Sequence, residues 1–275
     1  RRLPLLLLKK VEQIFWFPLK KWIALILVLL FLVFSSSATD VCLFSHGMRF
    51  IEEAGSVTFL PLERQTEFSE PNKPYDGPMV ALTFDDGPSK RVTDRILDLL
   101  EKHSAKATFF VLGSNVEAYP DKLERMLELG CEIGNHSYDH KNLPSISREA
   151  VEYQLETTKW CTYEACGSFP TLVRPPYGNV DDKVLEFSEL PIILWSLDTM
   201  DWKSRNTELI KKIAINKVRD GDIILMHDIY SFTADACETI IPALIKKGYK
   251  LVTVSELIEA KGFTVSAGEE FSRGR

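Results

Sequence analysis

None of the five cysteines, Cys42, Cys131, Cys161, Cys166 and Cys237, belongs to a C-x-x-C pair, so the usual spacing of a structural zinc knuckle is missing. The odd count leaves at least one thiol unpaired within the chain. Cys161 and Cys166 are the easiest pair to bring together, Cys131 reads as a small buried hydrophobe, and no bridge is assigned. Positive charge is scarce in the body of the chain. The net charge is −6, yet residues 1–21 carry +5, which leaves −11 for the rest. An acidic body excludes nucleic acid or an anionic lipid surface as the main partner. Internal repeats and low-complexity segments are also absent, which removes repeat architectures. No sequence feature points to a protein partner.

One solid apolar run stands out. Residues 22–34 hold no charge; they follow Lys20 and Lys21 and precede Ser35-Ser36-Ser37-Ala38. Lysines, an apolar run and then small residues form the pattern of a secretory signal or a membrane anchor over 22–38. Thirteen apolar residues suit a cleaved signal, with Ser36 and Ala38 at cleavage spacing. Counting back through Ile14-Phe15-Trp16-Phe17, the segment is also long enough to span a bilayer if uncleaved. Both readings place the body outside the cytoplasm.

Residues 39–78 mix isolated apolar residues with Glu, Ser and Pro and read as a linker or stalk. From Met79 strands and helices alternate. Strands are predicted at 79–84, 107–112, 131–135, 172–174, 192–197, 222–226 and 250–254. Helices are predicted at 90–102, 120–129, 147–158, 180–187, 207–217 and 236–247, with Ser89 as N-cap of the first. Strands separated by helices predict a parallel sheet of βα units, open or closed as a barrel. Residues 263–275 read as a polar tail. In such folds, sites gather where strands end. Asp85, Asp86, His136, Arg174, Asp198 and His227 all fall at or just past a predicted strand end.

Asp85 and Asp86 are adjacent in Thr83-Phe84-Asp85-Asp86-Gly87-Pro88, and two like charges this close need a cation or an arginine to separate their roles. His136 and His140, four apart, would share one face of a helical turn. With Asp86 they make a two-His, one-carboxylate set open to water and substrate, with zinc the default and iron, cobalt or manganese suited to the same set. Asp85 is then free to act as a general base, held ionised by Arg174. His227 suits a general acid, with Asp198 or Asp201 raising its pKa and fixing its tautomer. Trp202 and Leu225 would wall a small apolar pocket, and Trp202 or Tyr177 would stack on a sugar ring.

Five blocks in this order, residues 83–88, 136–140, 174–177, 198–202 and 225–227, resemble the polysaccharide deacetylases of carbohydrate esterase family 4, the NodB homology domain. The resemblance covers about residues 79–262 and implies an α/β fold, a distorted (β/α) barrel of about seven parallel strands. It implies hydrolysis of an N-acetyl group from an N-acetylglucosamine unit of a polysaccharide, most closely in the pattern of peptidoglycan deacetylases. Carried over by residue, Asp85 would be the base, Asp86, His136 and His140 the metal ligands, and His227 the acid. Arg174 would orient Asp85 and Asp201 would tune His227. The Tyr177 backbone N–H would face the oxyanion, and Trp202 and Leu225 would line the acetyl pocket. Deacetylation of chitooligosaccharide, exopolysaccharide or xylan, and a binding relic without turnover, are the competing expectations.

Overall fold

The computed structural model describes residues 48–53, 56–61 and 75–274. The basic start at 1–21, the apolar segment at 22–38 and Cys42 lie outside the described residues. Among those described, no helix is long and apolar enough to cross a membrane. The chain divides into two compact units, Arg1–Lys73 and Pro74–Arg275. In the first, β1 (Met48–Glu53) and β2 (Ser56–Pro61) pair antiparallel, with Glu53 opposite Ser56. The stretch read as a linker therefore contains a strand pair. Phe50, Ile51, Val57, Thr58 and Phe59 are types that strands favour, a signal that the later prolines of the stretch obscured.

In the second unit, β3 (Met79–Asp85) is buried along its whole length, as expected of a parallel strand covered on both faces. It is joined by β4 (Thr108–Val111), β5 (Glu132–Asn135), β6 (Leu172–Val173), β7 (Ile192–Ile193), β8 (Leu197–Asp198), β9 (Ile223–His227), β10 (Lys250–Val252) and β11 (Glu270–Phe271) in a nine-stranded sheet. The order is β11-β7-β6-β5-β4-β3-β9-β8, with β10 also on β3, and every ladder is parallel. This is a half-barrel α/β fold, in keeping with a distorted barrel.

Two departures from the sequence reading raise the strand count from about seven to nine. The strand expected at 192–197 is broken. Its first part pairs with β6 (Val173 beside Ile192) and its last part with β9 (Leu197 beside Ile224). Leu194, Trp195 and Ser196 thus cross the seam where the sheet does not close. The supposed polar tail contributes β11, whose Phe271 lies beside Ile193 and packs edge-on against Phe263 at 5.4 Å. A two-residue strand carries no periodicity, so the sequence held no signal for it.

The core fixes the frame. Phe84 and Phe109 stack at 5.2 Å between β3 and β4. Ile96, Leu97 and Leu100, at helical spacing on Val92–Lys102, bury against them, as do Ile240, Ile241 and Leu244 on Ser231–Lys246. The first helix is not capped by Ser89 in the expected way. It begins after Arg91, while Ser89 Oγ accepts from Thr93 N at 3.2 Å and Ser89 N donates to Thr93 Oγ1 at 2.7 Å. Cys131, Cys161, Cys166 and Cys237 are free thiols. Cys161 and Cys166 are five apart on the helix Arg148–Cys166, a spacing that points them to different faces.

Candidate active site

Parallel pairing brings the chemistry-bearing residues to one rim. Asp85 ends β3 in register with His227, the last residue of β9. His136 follows Asn135 at the end of β5, and Arg174 follows Val173 at the end of β6. Asp86 has φ +72°, a left-handed conformation that breaks strand alternation. Both carboxylates therefore approach His136 Nε2, Asp86 Oδ1 at 3.4 Å and Asp85 Oδ2 at 3.7 Å.

His140 Nε2 lies 3.2 Å from the same Asp86 Oδ1. The two histidines do not share a helical turn, as their spacing suggested. Residues 136–140 form a loop in which Ser137 (φ +70°) and His140 (φ +62°) take left-handed backbone, and the loop itself turns both imidazoles onto Asp86. Gln154, on the helix Arg148–Cys166, pins it: its Oε1 accepts from Tyr138 N at 2.9 Å and Asp139 N at 3.1 Å. His136 Nδ1 is 2.6 Å from the Arg174 carbonyl, which only accepts, so Nδ1 carries a proton, and in the neutral ring Nε2 then keeps its lone pair, facing the cluster.

Arg174 is wholly buried. It donates to Asp85 Oδ1 at 2.7 Å, Thr83 Oγ1 at 2.8 Å, and the carbonyls of Ile193 and Leu194 at 3.0 and 3.1 Å. The last two stand where β7 gives way to the seam, and a guanidinium takes them. Its plane sits 4.0 Å over the Phe110 ring, which fits because Gly134 has no side chain to meet that ring. Burial lowers the Arg174 pKa while the Asp85 charge raises it. A buried, charge-paired arginine fixes its carboxylate far more firmly than an exposed pair would.

The sequence left Asp198 and Asp201 both open as the partner of His227, and the structure distinguishes them. Asp201 Oδ1 is 2.8 Å from His227 Nδ1, and Oδ2 accepts from His227 N and Thr233 Oγ1, each at 2.8 Å. Asp198 instead accepts from Met200 N at 2.6 Å and Trp202 Nε1 at 3.4 Å, orienting the indole. Burial opposes charge on His227, yet the Asp201 hydrogen bond and the charges of Asp201, Asp85 and Asp86 outweigh it and raise the imidazole to about 9. The Asp86 carboxyl moves the other way. Burial would raise it, but the neighbouring imidazoles of His136, His227 and His140 lower it to about 2.

Aromatic side chains line the rim. Tyr177 is 62% exposed, sits at φ +62° and lies edge-on to His140 at 4.7 Å, while Trp202 is 45% exposed. Leu225 is buried on β9, in register with Thr83 and Asp198. Sequence reasoning missed Tyr230, whose ring is 5.9 Å from that of His227 and stacks on Phe232 at 4.9 Å. It also missed Thr83 beneath Arg174, Asn115, whose side chain donates to the Asp86 carbonyl at 2.7 Å, and Gln154. The last two lie on distant helices, where no local pattern marks them.

Asp86, His136 and His140 present ligand atoms within 4.8 Å of one another. Asp86 Oδ1 is buried, has no hydrogen-bond partner and faces two imidazole nitrogens. A buried acceptor left unpaired is costly, and a divalent cation, were one held by these three residues, would satisfy it. The donor set, two nitrogens and one oxygen, suits zinc and other borderline metals.

Residues 72–190 match the family model of polysaccharide deacetylase. The peptidoglycan-N-acetylglucosamine deacetylase PgdA of Listeria monocytogenes is 44% identical over 208 residues, 76% of this chain and 45% of that protein. The chain thus spans less than half the length of PgdA. A peptidoglycan-N-acetylglucosamine deacetylase of Bacillus cereus is 37% identical over 68% of this chain and 92% of its own length. Among solved structures, peptidoglycan deacetylase PdaC of Bacillus subtilis superposes with a TM-score of 0.67 at 46% identity, covering 68% of this chain and 92% of that one. A family 4 acetyl xylan esterase of Clostridium thermocellum, in complex with a cobalt ion, does so with a TM-score of 0.67 at 34% identity, over 71% and 98%.

Proposed function

Because this chain belongs to the polysaccharide deacetylase family, we propose that it hydrolyses the N-acetyl group of N-acetylglucosamine units in peptidoglycan, releasing acetate. One observation carries the reading. Two independently held proton carriers, Asp85 on Arg174 and His227 on Asp201, flank a single three-residue ligand cluster. A binding module has no use for both.

The division of labour follows from the partners. Asp85 Oδ1 is engaged by Arg174, which leaves its second oxygen, on the His136 side, to take the proton of the attacking water. His227, protonated at neutral pH and held through Nδ1, gives a proton from Nε2 to the departing amine nitrogen as the C–N bond breaks. Water thereby supplies hydroxide to the acetyl carbon and the sugar leaves as a free amine. When bound by Asp86, His136 and His140, a divalent ion supplies Lewis-acid polarisation, with zinc the first choice and cobalt, iron or manganese able to serve. The Tyr177 backbone N–H faces the developing oxyanion. Trp202 and Leu225 enclose the acetyl methyl, and the exposed faces of Tyr177 and Trp202 stack on sugar rings.

The lysine-flanked apolar segment at 22–38 supports export or anchoring toward a wall polymer, with an acidic body facing outward. Acetate release by the purified chain on peptidoglycan, N-acetylglucosamine oligomers and acetylxylan, each with and without chelator, tests the reading. Release should be greatest on peptidoglycan and lost on chelation. Asp85→Asn should lower turnover at least ~100-fold while still binding metal, whereas His140→Ala should lose metal and turnover together. Preference for acetylxylan, or sugar binding with no acetate from any polymer, would defeat the proposal. Equal metal loss in the two variants would defeat its assignment of the aspartates.

A further inference from the structure

Asp228 follows the acid His227 at the end of β9. In the structure it is wholly buried, and its Oδ1 has no hydrogen-bond partner. Its other oxygen accepts from Thr93 Oγ1 at 2.5 Å, and its backbone carbonyl accepts from Ser89 Oγ at 2.7 Å. Its N–H reaches the Asp85 carbonyl at 3.3 Å. The carboxylate lies directly against the Cα of Gly87, where any β-carbon would overlap both of its oxygens. Gly87 is the residue after the ligand Asp86.

The turn that presents Asp86 needs holding, since Asp86 adopts a backbone conformation that non-glycine residues seldom take. From the outer side, Asn115 Nδ2 donates to the Asp86 carbonyl at 2.7 Å and Leu112 N to the Gly87 carbonyl at 2.9 Å. From beneath, the Asp228 carboxylate, latched by Thr93, fills the space against Gly87. A buried carboxylate with an orphaned oxygen is an expensive filler, and its place under the ligand turn explains why the site keeps it.

We propose that Asp228 is a positioning residue for the metal site: its carboxylate, locked by Thr93 and matched to the bare Cα of Gly87, sets the Asp86 turn at the position where Oδ1 meets the two imidazoles. The inference rests on the metal-site reading above. It assigns Asp228 no contact with substrate. Outer contacts of this kind typically change metal affinity 10–100-fold when removed.

Isothermal titration of the metal-stripped full chain with Zn²⁺ tests it. Asp228→Ala should weaken Zn²⁺ binding by about 10–100-fold, whereas the isosteric Asp228→Asn should stay much nearer the wild type. Gly87→Ala should reproduce the loss by pushing the carboxylate away. In the double variant Asp228→Ala/Gly87→Ala the added methyl enters the vacated space, so the two losses should not add. Thr93→Val, which keeps the shape and removes the latch, should weaken binding in the same direction, and serves if Asp228→Ala does not fold. A residue that supports only global stability would lower the melting temperature of these variants and leave Zn²⁺ affinity and the coupling untouched. Unchanged affinity in the variants, strictly additive losses, or an Asn variant as weak as the Ala variant overturns the proposal. A wild-type chain that binds no Zn²⁺, Co²⁺ or Mn²⁺ overturns the metal-site reading, and this inference with it.

Discussion

At the scale of single residues, His227 shows how a partner sets the working pH. An isolated histidine has a pKa near 6.5 and would be mostly neutral at pH 7, unable to give a proton to a leaving amine. Burial alone makes this worse. Asp201, fully buried and fixed by its own donors from His227 N, Trp202 N and Thr233 Oγ1, reverses the balance and carries the imidazole to about 9. The acid form is the active one, so turnover should hold through neutral pH and fall as pH rises past that pKa. A bound cation repels the imidazolium and moves the limb downward from the metal-free position. Replacing Asp201 by Asn removes the charge and keeps the shape. The alkaline limb of kcat should then move toward acid by on the order of one pH unit or more, with Zn²⁺ affinity nearly unchanged. A limb that stays in place in the variant would show that another group reports the alkaline pKa.

At the scale of elements, the rim was legible because strand ends are punctuated. Asp-Asp-Gly-Pro, Arg-Pro-Pro-Tyr and Met-His each follow an apolar run, and a parallel sheet must bring such ends together. Spacing misled where it was converted into helix geometry, since residues 136–140 hold their imidazoles together through left-handed backbone and through Gln154. What stayed hidden is long-range by nature. Asn115, Gln154 and Thr93 meet the site across 29, 15–16 and 135 residues respectively, and no local pattern encodes such contacts. The tail is the clearest case. Phe271 lies beside Ile193 and against Phe263, and its carbonyl accepts from Leu194 N at 2.8 Å, next to the Leu194 carbonyl that holds Arg174. Deleting residues 264–275 should therefore cost about 2 kcal/mol from lost apolar burial, or roughly 4–8 °C in the melting temperature of a domain this size. Thermal unfolding of the truncated chain checks it, and an unchanged midpoint would show that these residues add nothing to the stability of the fold.

For the whole molecule, the division at Lys73 and Pro74 separates chemistry from the preceding segment. Every residue assigned to the site, from Thr83 to Thr233, lies in Pro74–Arg275, together with all nine strands of the large sheet and, among the described residues, three buried apolar clusters. About 200 residues with their own core fall within the size at which a domain folds alone. Expressed by itself, Pro74–Arg275 should unfold in a single cooperative transition and retain the kcat/KM of the full chain on soluble N-acetylglucosamine oligomers. Diffusion brings such oligomers to the site without help from the first unit. Intact peptidoglycan is an insoluble network, and there a segment that keeps the enzyme at the wall raises the local encounter rate. The isolated unit should therefore be slower on sacculi than the full chain in its native setting, while matching it on oligomers. Parallel acetate-release assays on the two substrates measure both. A fall on soluble oligomers as large as that on sacculi would place part of the catalytic machinery in Arg1–Lys73, against the separation argued here.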